Sequence, residues 1–241
     1  MLDKTELTTA GQIAALARQL CELRTEADAR QFLARQAVTV AGCAAAAFGR
    51  RTAGGALEFS WSGPAELVDR LTTVLAQAEE AIGAAALAQR EPVSSPDLAQ
   101  ERRWPEYASV LLSQTPVRSA QAYPVRLADC DLGVLILYST DAGFFAAEHC
   151  QLGAALADHA AIGLSLLASR YQAEHLTNAL ANSREIGQAM GIIMATHKVT
   201  SEKAFDLLRT ASQHGHVKLR DVAHEVILTG ELPAPAVPPA G

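Results

Sequence analysis

Apolar residues recur at intervals of three and four positions in two long stretches of the chain, the spacing of one face of an α-helix. The pattern predicts helices over residues 11–40 and 64–91. The apolar positions are Ile13, Leu16, Leu20, Phe32 and Leu33 in the first stretch and Leu67, Leu71, Val74, Leu75 and Ile82 in the second. Residues 92–97 are predicted to form a loop, because two prolines bracket polar serines there.

Shorter apolar segments bounded by turn residues predict β-strands. Segments 42–49 and 57–61 lie on either side of Gly54-Gly55, which favours a turn between two paired strands. Segments 119–126 and 132–139 are separated by Ala-Asp-Cys-Asp, and we expect a second turn there. The segment 132–139 is almost wholly apolar, so it is predicted to lie centrally in a sheet.

A long helix is predicted from Ala146 onward, because apolar or small residues alternate steps of three and four over about six heptads. This heptad stripe consists of Leu152, Ala155, His159, Ile162, Leu166, Ser169, Ala173, Leu176, Leu180, Ser183, Gly187, Met190 and Met194. A pair of helices that pack within one chain would use the same stripe. The continuity of the heptads favours a coiled coil between two copies of the chain, and we predict a homodimer.

Two shorter helices are predicted after the long one. Thr200 or Ser201 can cap the first of them, and Gly215 is its expected stop. The second carries apolar residues at i, i+3, i+4, i+7 and i+8 and is expected to end at Gly230. The proline-rich residues 233–241 favour neither helix nor sheet, so we predict a disordered tail.

The order of the elements before the long helix resembles that of GAF sensor domains. The resemblance covers roughly residues 11–168 and rests on the order in which several short pieces follow one another along the chain. These pieces are Glu91-Pro92-Val93, Asp97-Leu98, Arg103-Trp104-Pro105, Val117-Arg118-Ser119, Leu132-Gly133-Val134-Leu135 and Phe144-Phe145. The resemblance implies an α+β fold for residues 1–168, with an antiparallel sheet flanked by helices. It also implies a sensor or dimerisation role, with a small-molecule ligand as a possible partner.

The composition is that of a chain able to bury a large core, since 49% of its 241 residues are hydrophobic. The formal net charge is −6, so any contact with nucleic acid must come from a local cluster of basic residues. The first residues are polar and acidic, unlike a signal peptide. No uninterrupted apolar stretch approaches the ~20 residues that span a bilayer. We therefore expect a cytoplasmic protein without a membrane partner.

The sequence has no pattern that predicts an enzyme, a metal centre or a cofactor site. Its four cysteines are widely separated, which does not fit the paired spacing of zinc ligands. No Gly-x-Ser-x-Gly elbow or phosphate-cradling loop is present. Some GAF-like proteins are cysteine-dependent reductases of oxidised methionine, but Cys43 and Cys130 do not form the cysteine cluster such a reductase needs. We expect no enzymatic activity, with a GAF-type reductase as a rival interpretation.

The C-terminal residues, from about 176 to 233, resemble the ANTAR RNA-binding antiterminator module. The resemblance rests on Ala179-Leu180, Ser183-Arg184, Ile186, the Ala189-x-Gly191-x-x-Met194 spacing, Ala204-Phe205, Leu208-Arg209 and Lys218-Leu219-Arg220-Asp221-Val222-Ala223. It implies an RNA-binding domain of three helices over residues 169–232. Met190 stands where many members of the family carry a lysine.

The ANTAR resemblance also implies a function. Members of the family bind nascent messenger RNA that carries two adjacent stem-loops with six-nucleotide loops, and this prevents an overlapping terminator hairpin from forming. We therefore expect a dimeric transcription antitermination regulator. Its basic side chains would contact phosphates, and its small residues would let a base approach the helix. The residues expected to contact RNA are Ser183, Arg184, Gln188, Ala189, Gly191, Met194, Arg209, Lys218 and Arg220.

Other interpretations of the C-terminal helices stay open. Acidic residues slightly outnumber basic ones between residues 171 and 232, which disfavours nonspecific binding to a polyanion. The chain is alternatively a small-molecule sensor that signals through protein partners and does not bind RNA. A helix-turn-helix protein that binds DNA is a further alternative. Ala189 and Gly191 are also the kind of residues that let helices pack closely.

Overall fold

The computed structural model describes residues 16, 18–20, 22–52, 54–77, 81–145 and 147–233. The chain divides between Ser169 and Arg170 into two compact units. The first unit contains a five-stranded sheet with helices on both faces, and the second contains three packed helices. The fold class is α+β, as the sequence predicts.

The sheet of the first unit is antiparallel throughout, with the strand order β2-β1-β5-β4-β3. Its strands are β1 (Ala45–Arg51), β2 (Leu57–Ser62), β3 (Val93–Ser95), β4 (Ser119–Leu127) and β5 (Cys130–Ser139). β5 is the middle strand, and every residue from Gly133 to Ser139 is buried. The central position predicted from its apolar run is therefore confirmed.

Seven helices with defined bounds accompany the strands in the part of the chain that the structure describes. They are α1 (Glu26–Ala41), α2 (Ala65–Gln77), α3 (Ile82–Gln89), α4 (Pro105–Gln114), α5 (Ala147–His197), α6 (Ser201–Gly215) and α7 (Leu219–Thr229). A 3₁₀ turn at Leu98–Gln100 precedes α4. Outside these elements, residues 16, 18–20 and 22 are also helical.

Successive residues of the central strands face two separate cores, because side chains alternate between the faces of a sheet. One face, with Phe48, Tyr123 and Leu135, packs against α1 and the first part of α5. The other face, with Ile136 and Tyr138, packs against α2, α3 and α4. The helices on both sides keep the middle of the sheet out of water.

The helix predicted over residues 11–40 is interrupted in the structure. Residues 23–25 are not helical, and α1 begins afresh at Glu26. Thr25 causes the new start, since its hydroxyl accepts a hydrogen bond of 3.1 Å from the backbone N–H of Asp28. Residues 11–15 of the predicted helix lie outside the described residues.

The helix predicted over residues 64–91 is also wrong as a single element. α2 and α3 are separate, and Ala81 between them is extended, with φ −139° and ψ 160°. The break lets α3 lie flat on the sheet: a Cβ on Gly83 would come within 2.7 Å of Cδ1 of Ile136. Helical periodicity does not reveal such a break, because both helices are apolar. Residues 78–80 lie outside the described residues.

The predicted loop over residues 92–97 contains the edge strand β3. Val93 pairs with Ala122 and Ser95 pairs with Ala120 in β4. The flanking prolines restrict this strand to three residues, because proline cannot donate to the ladder. Prolines are loop signals in the sequence, and the short strand between them was therefore not predicted.

Other predicted elements agree with the structure. The strand pairs β1–β2 and β4–β5 are both present, and α5 is the long helix expected from Ala146 onward. Thr200 caps α6, its hydroxyl accepting from the N–H of Lys203 at 3.4 Å. α6 ends at Gly215, although the left-handed residue that follows is His216, with φ 50°. Gly230, with φ 79°, ends α7 as predicted.

One described helix, Gln151–His197, is long and apolar enough to cross a membrane by length and composition alone. Its first part has a different role in the structure. Leu156, Ala160 and Leu164 are buried in the core between this helix and the sheet. This packing buries about a third of the apolar segment, 33% of it, inside the structure.

Candidate nucleic-acid interface

The core of the second unit determines which helix faces are buried and which are exposed to a binding partner. It consists of Ala189, Ile193, Ala204, Leu208, Val222, Ala223 and Val226. At 3.6 residues per turn, Arg184, Gly187 and Gly191 lie on the side of α5 away from Ala189 and Ile193. All three are exposed.

Five of the predicted RNA-contacting residues lie on the exposed part of α5. They are Ser183, Arg184, Gln188, Gly191 and Met194. A Cβ added to Gly191 would meet no described atom within 4 Å, so this position is open to an approaching partner. The heptad positions Ser183, Gly187 and Met194 share the same side of the helix.

Ala189 does not belong to this exposed surface. It is 0% exposed and packs in the core of the second unit, so its small side chain serves helix packing and cannot contact RNA. The expectation that Ala189 lies beside a base is corrected accordingly. Met190 is partly buried against the same core, so the position where relatives carry lysine lies at the edge of the packed interior.

The basic residues differ in whether a nearby carboxylate already forms an ion pair with them. Arg209 pairs with Asp206 at 2.8 Å, and Nε of Arg220 pairs with Asp221 at 3.2 Å. Lys218, the N-cap residue of α7, has an exposed side chain. Within the described ranges, Lys218 and Arg184 form no ion pair. These two are therefore the predicted contact residues with the most available positive charge.

An open cleft of about 350 Å³ separates α5 from α7 within the second unit. It is lined by Asn182 and Glu185 from α5 and by Arg220, Asp221 and His224 from α7. Only Arg220 among them was predicted as a site residue. The positions of two others follow once Ala189 is known to be buried: Asn182 and Glu185 precede it by seven and four residues, on the helix face that turns toward α7.

The first unit has a cavity of about 290 Å³ between the sheet and the α2–α3 region. Its lining is mainly apolar, with Phe59, Leu75 and Ile136 among the contributing side chains. Arg51 is the charged residue of the lining. Tyr138 and Trp104 belong to the core on this face of the sheet, and Trp61 packs against that core. Tyr123 belongs to the core on the other face.

The described cysteines are far apart in the fold. Cys43 is buried, and burial raises the pKa of its thiol to about 12, so it stays protonated at neutral pH. Cys130 is exposed in the β4–β5 hairpin. In the described part of the chain, no three His, Cys, Asp or Glu side chains come together to hold a metal ion.

Comparison with known proteins identifies the family of each unit. The GAF domain family model matches residues 24–165, and the ANTAR domain model matches residues 174–227. The chain belongs to the GAF domain family, and its second unit carries an ANTAR domain. GAF domains are sensor domains and ANTAR domains are RNA-binding antitermination modules, and both are typically soluble.

Solved structures support the fold of the first unit. A free methionine-R-sulfoxide reductase from Neisseria meningitidis matches with a TM-score of 0.55 and 12% identity, over 70% of this chain and 96% of its own. The GAF domain of a phosphoenolpyruvate-protein phosphotransferase from Coxiella burnetii matches with a TM-score of 0.53 and 13% identity, over 69% and 98%. At such identities the likeness concerns the fold alone. No curated protein sequence matches the chain.

Proposed function

We propose that this protein is a transcription antitermination regulator that binds paired six-nucleotide-loop hairpins in nascent messenger RNA. The observation that carries the proposal is the ANTAR match over residues 174–227, a segment that folds as three helices with its own core. Bound RNA would be held in the hairpin form that excludes the terminator. The regulator acts by binding and needs no catalytic step.

The phosphate contacts of this function are assigned to Lys218 and Arg184. Neither side chain has an ion-pair partner among the described residues, and both are exposed. Each phosphate contact releases condensed counterions from the RNA, so affinity would fall as salt rises. The dispersed acidic residues of the second unit keep nonspecific binding weak, and recognition then depends on loop shape and unpaired bases.

A homodimer is part of the proposal. In the second unit, α5 exposes Leu176 and Leu180 at 63% each, with Ala173, Ser183 and Gly187 on the same stripe. Apolar side chains at heptad spacing gain free energy when a second helix covers them. Two RNA-binding units in one dimer would match two hairpins and increase the apparent affinity through the effective concentration.

The first unit is assigned the role of a sensor in the cytoplasm. The apolar cavity beside Phe59 and Ile136 is the place where a small molecule would bind. Its ligand would change RNA binding only if it favoured one state of the dimer over another.

The first test is a titration of the full-length protein against an RNA with two adjacent six-nucleotide-loop hairpins, at two salt concentrations. We expect binding of the intact pair and much weaker binding of single hairpins or scrambled loops. Lys218→Ala should weaken binding of all these RNAs and reduce the slope of log affinity against log salt by roughly one phosphate contact.

Lys203→Ala is the matched control, because Lys203 is also an exposed lysine of the second unit but is not in the proposed contact set. Equal effects of the two substitutions would remove Lys218 from the interface. Equal affinity for paired, single and scrambled hairpins would argue for the alternative, a sensor that signals through protein partners. Preference for duplex DNA would argue for a helix-turn-helix protein.

A further inference from the structure

The cleft between α5 and α7 differs in chemistry from a phosphate-binding surface. Two of its lining side chains, Glu185 and Asp221, are carboxylates, and only Arg220 is a permanent cation. The Asp221 carboxylate already accepts a hydrogen bond of 3.2 Å from Nε of Arg220. A phosphate that reached Arg220 here would face both carboxylates, and like charges at close range repel. The cleft therefore favours a neutral group that offers donors and acceptors together.

The cleft also concentrates unused hydrogen-bonding groups. The side chains of Asn182, Glu185 and His224 form no hydrogen bond or ion pair with any described residue, and neither Nη atom of Arg220 donates to a described residue. Glu185 can accept several hydrogen bonds, the Arg220 fork can donate several, and Asn182 can do both. Convergence of such groups on one concavity is what a binding site for a polar planar ligand requires.

We propose that this cleft binds one unpaired guanine of the RNA, an inference that rests on the RNA-binding function proposed above. The Glu185 carboxylate would accept from N1–H and N2–H₂ of the base. The Nη atoms of Arg220 would donate to O6 and N7, the pairing that arginine makes most often with guanine. The ring of His224 offers a surface on which the base stacks, as aromatic side chains do with unpaired RNA bases.

The same arrangement of a carboxylate acceptor and guanidinium donors disfavours the other three bases. In the same pose, adenine places its acceptor N1 opposite the Glu185 carboxylate and its donor N6–H₂ opposite the donors of Arg220, so both contacts are lost. Cytosine and uracil lack the N7 acceptor that guanine places beside O6, so Arg220 makes fewer bonds. The cleft thus gives base specificity, whereas Lys218 and Arg184 give affinity that does not depend on sequence.

The test is a binding selection with full-length protein and dual-hairpin RNAs whose loops are randomised. The wild type should enrich guanine at one fixed loop position. Replacing that guanine by inosine, which lacks the N2 amino group, should lower wild-type affinity roughly tenfold. Glu185→Gln and Arg220→Gln should each lose the guanine preference, and Glu185→Gln should not distinguish guanine from inosine.

Glu174→Gln is the matched control, since Glu174 is an exposed glutamate of the same helix outside the cleft. Simple loss of a negative charge strengthens RNA binding, so this control should bind equally well or more tightly. The guanine inference predicts the opposite sign for Glu185→Gln. The melting curves and circular dichroism of each variant show whether it is folded.

The outcomes separate this inference from the function on which it rests. The cleft assignment alone is overturned if the wild type enriches RNAs that have no fixed guanine. It is also overturned if Glu185→Gln binds the guanine RNA as tightly as Glu174→Gln does. No enrichment of any RNA by the wild type overturns the RNA-binding function and the guanine site together. A fixed guanine that is lost in both cleft variants and kept in the control supports the inference.

Discussion

At the scale of single residues, Arg103 fixes the loop between β3 and α4. Its Nε and Nη2 donate to Glu101 at 2.9 and 2.6 Å, and Nη2 also donates to the carbonyl of Ser94 at 2.6 Å. Its guanidinium lies 4.4 Å from the centroid of Trp104. The Glu101 side chain is 5% exposed, so this carboxylate depends on Arg103 for compensation of its charge.

The hydrogen bonds from Arg103 lower the pKa of Glu101 to about 2, although its burial acts in the opposite direction. An unfolded chain has a glutamate pKa near 4.3, so Glu101 stabilises the fold above about pH 4.3 and loses this contribution as the pH falls toward about 2. Glu101→Gln should lower the free energy of unfolding at pH 7 by about 1–2 kcal/mol, since half-exposed Arg103 is screened by water. Urea unfolding at pH 7, 4 and 2 should show this difference shrinking with acid.

Glu58→Gln is the control for that series. Glu58 pairs with Arg30 at 3.4 Å, but its side chain is 63% exposed. Because water still solvates the Glu58 carboxylate, the pair contributes little although the Arg30 side chain is only 14% exposed, and this variant should stay within about 0.5 kcal/mol of the wild type. A difference at Glu101 that does not change between pH 7 and 2 would contradict the ionic explanation and point to lost packing.

Residue patterns alone could predict the basic contact candidates but not the role of each small residue. The sequence shows Ala189 and Gly191 as equivalent, whereas the structure buries Ala189 and exposes Gly191. Which face of α5 meets the core depends on α6 and α7, and helix periodicity does not contain that information. The cleft residues Asn182 and His224 were missed for the same reason.

At the scale of secondary structure, the sequence predicted the elements whose signal is local. β5 has an apolar run, and Thr200 and Gly230 mark helix ends by their own chemistry. The breaks near residues 24 and 81 and the edge strand β3 were missed. The first break has a local signal in Thr25, which caps α1. The second break and β3 depend on contacts with the sheet, such as the close approach of Gly83 to Ile136. The spacing of apolar residues indicates which face of a helix is buried. It does not indicate where contacts with the rest of the fold end that helix.

The exposed stripe of α5 predicts a specific change in oligomeric state. Leu180→Glu should convert the proposed dimer into a monomer, because a charge at a heptad position would be buried without a partner. The folded monomer should keep its helix content, since Leu180 is 63% exposed and lies outside the core of the second unit. Light scattering coupled to gel filtration measures the mass directly.

Leu228→Glu is the matched control for the stripe. Leu228 is 73% exposed on α7 and does not belong to the heptad positions, so the same substitution should leave the mass unchanged. A Leu180→Glu protein that keeps the dimer mass would remove α5 from the interface. A wild-type protein that is monomeric at all concentrations would remove the dimer from the proposed function.

At the scale of the whole molecule, the chain combines two units of very different core size. The first unit has two cores, one on each face of its sheet, whereas the described part of the second unit has one core of seven buried residues. Small units bury too little surface for high stability by themselves. The second unit therefore has the greater need for the free energy that dimerisation or RNA binding supplies.

This difference predicts two thermal transitions for the full-length protein. The lower one should belong to the second unit, and its midpoint should rise with protein concentration, because association of the α5 stripes stabilises only the folded state. The upper one should belong to the first unit and stay fixed. Calorimetry at several protein concentrations, with Leu180→Glu as comparison, measures both midpoints. In the variant, the lower midpoint should no longer depend on concentration, and the upper midpoint should equal that of the wild type. One concentration-independent transition would mean that the units unfold together and that the stripe does not stabilise a dimer.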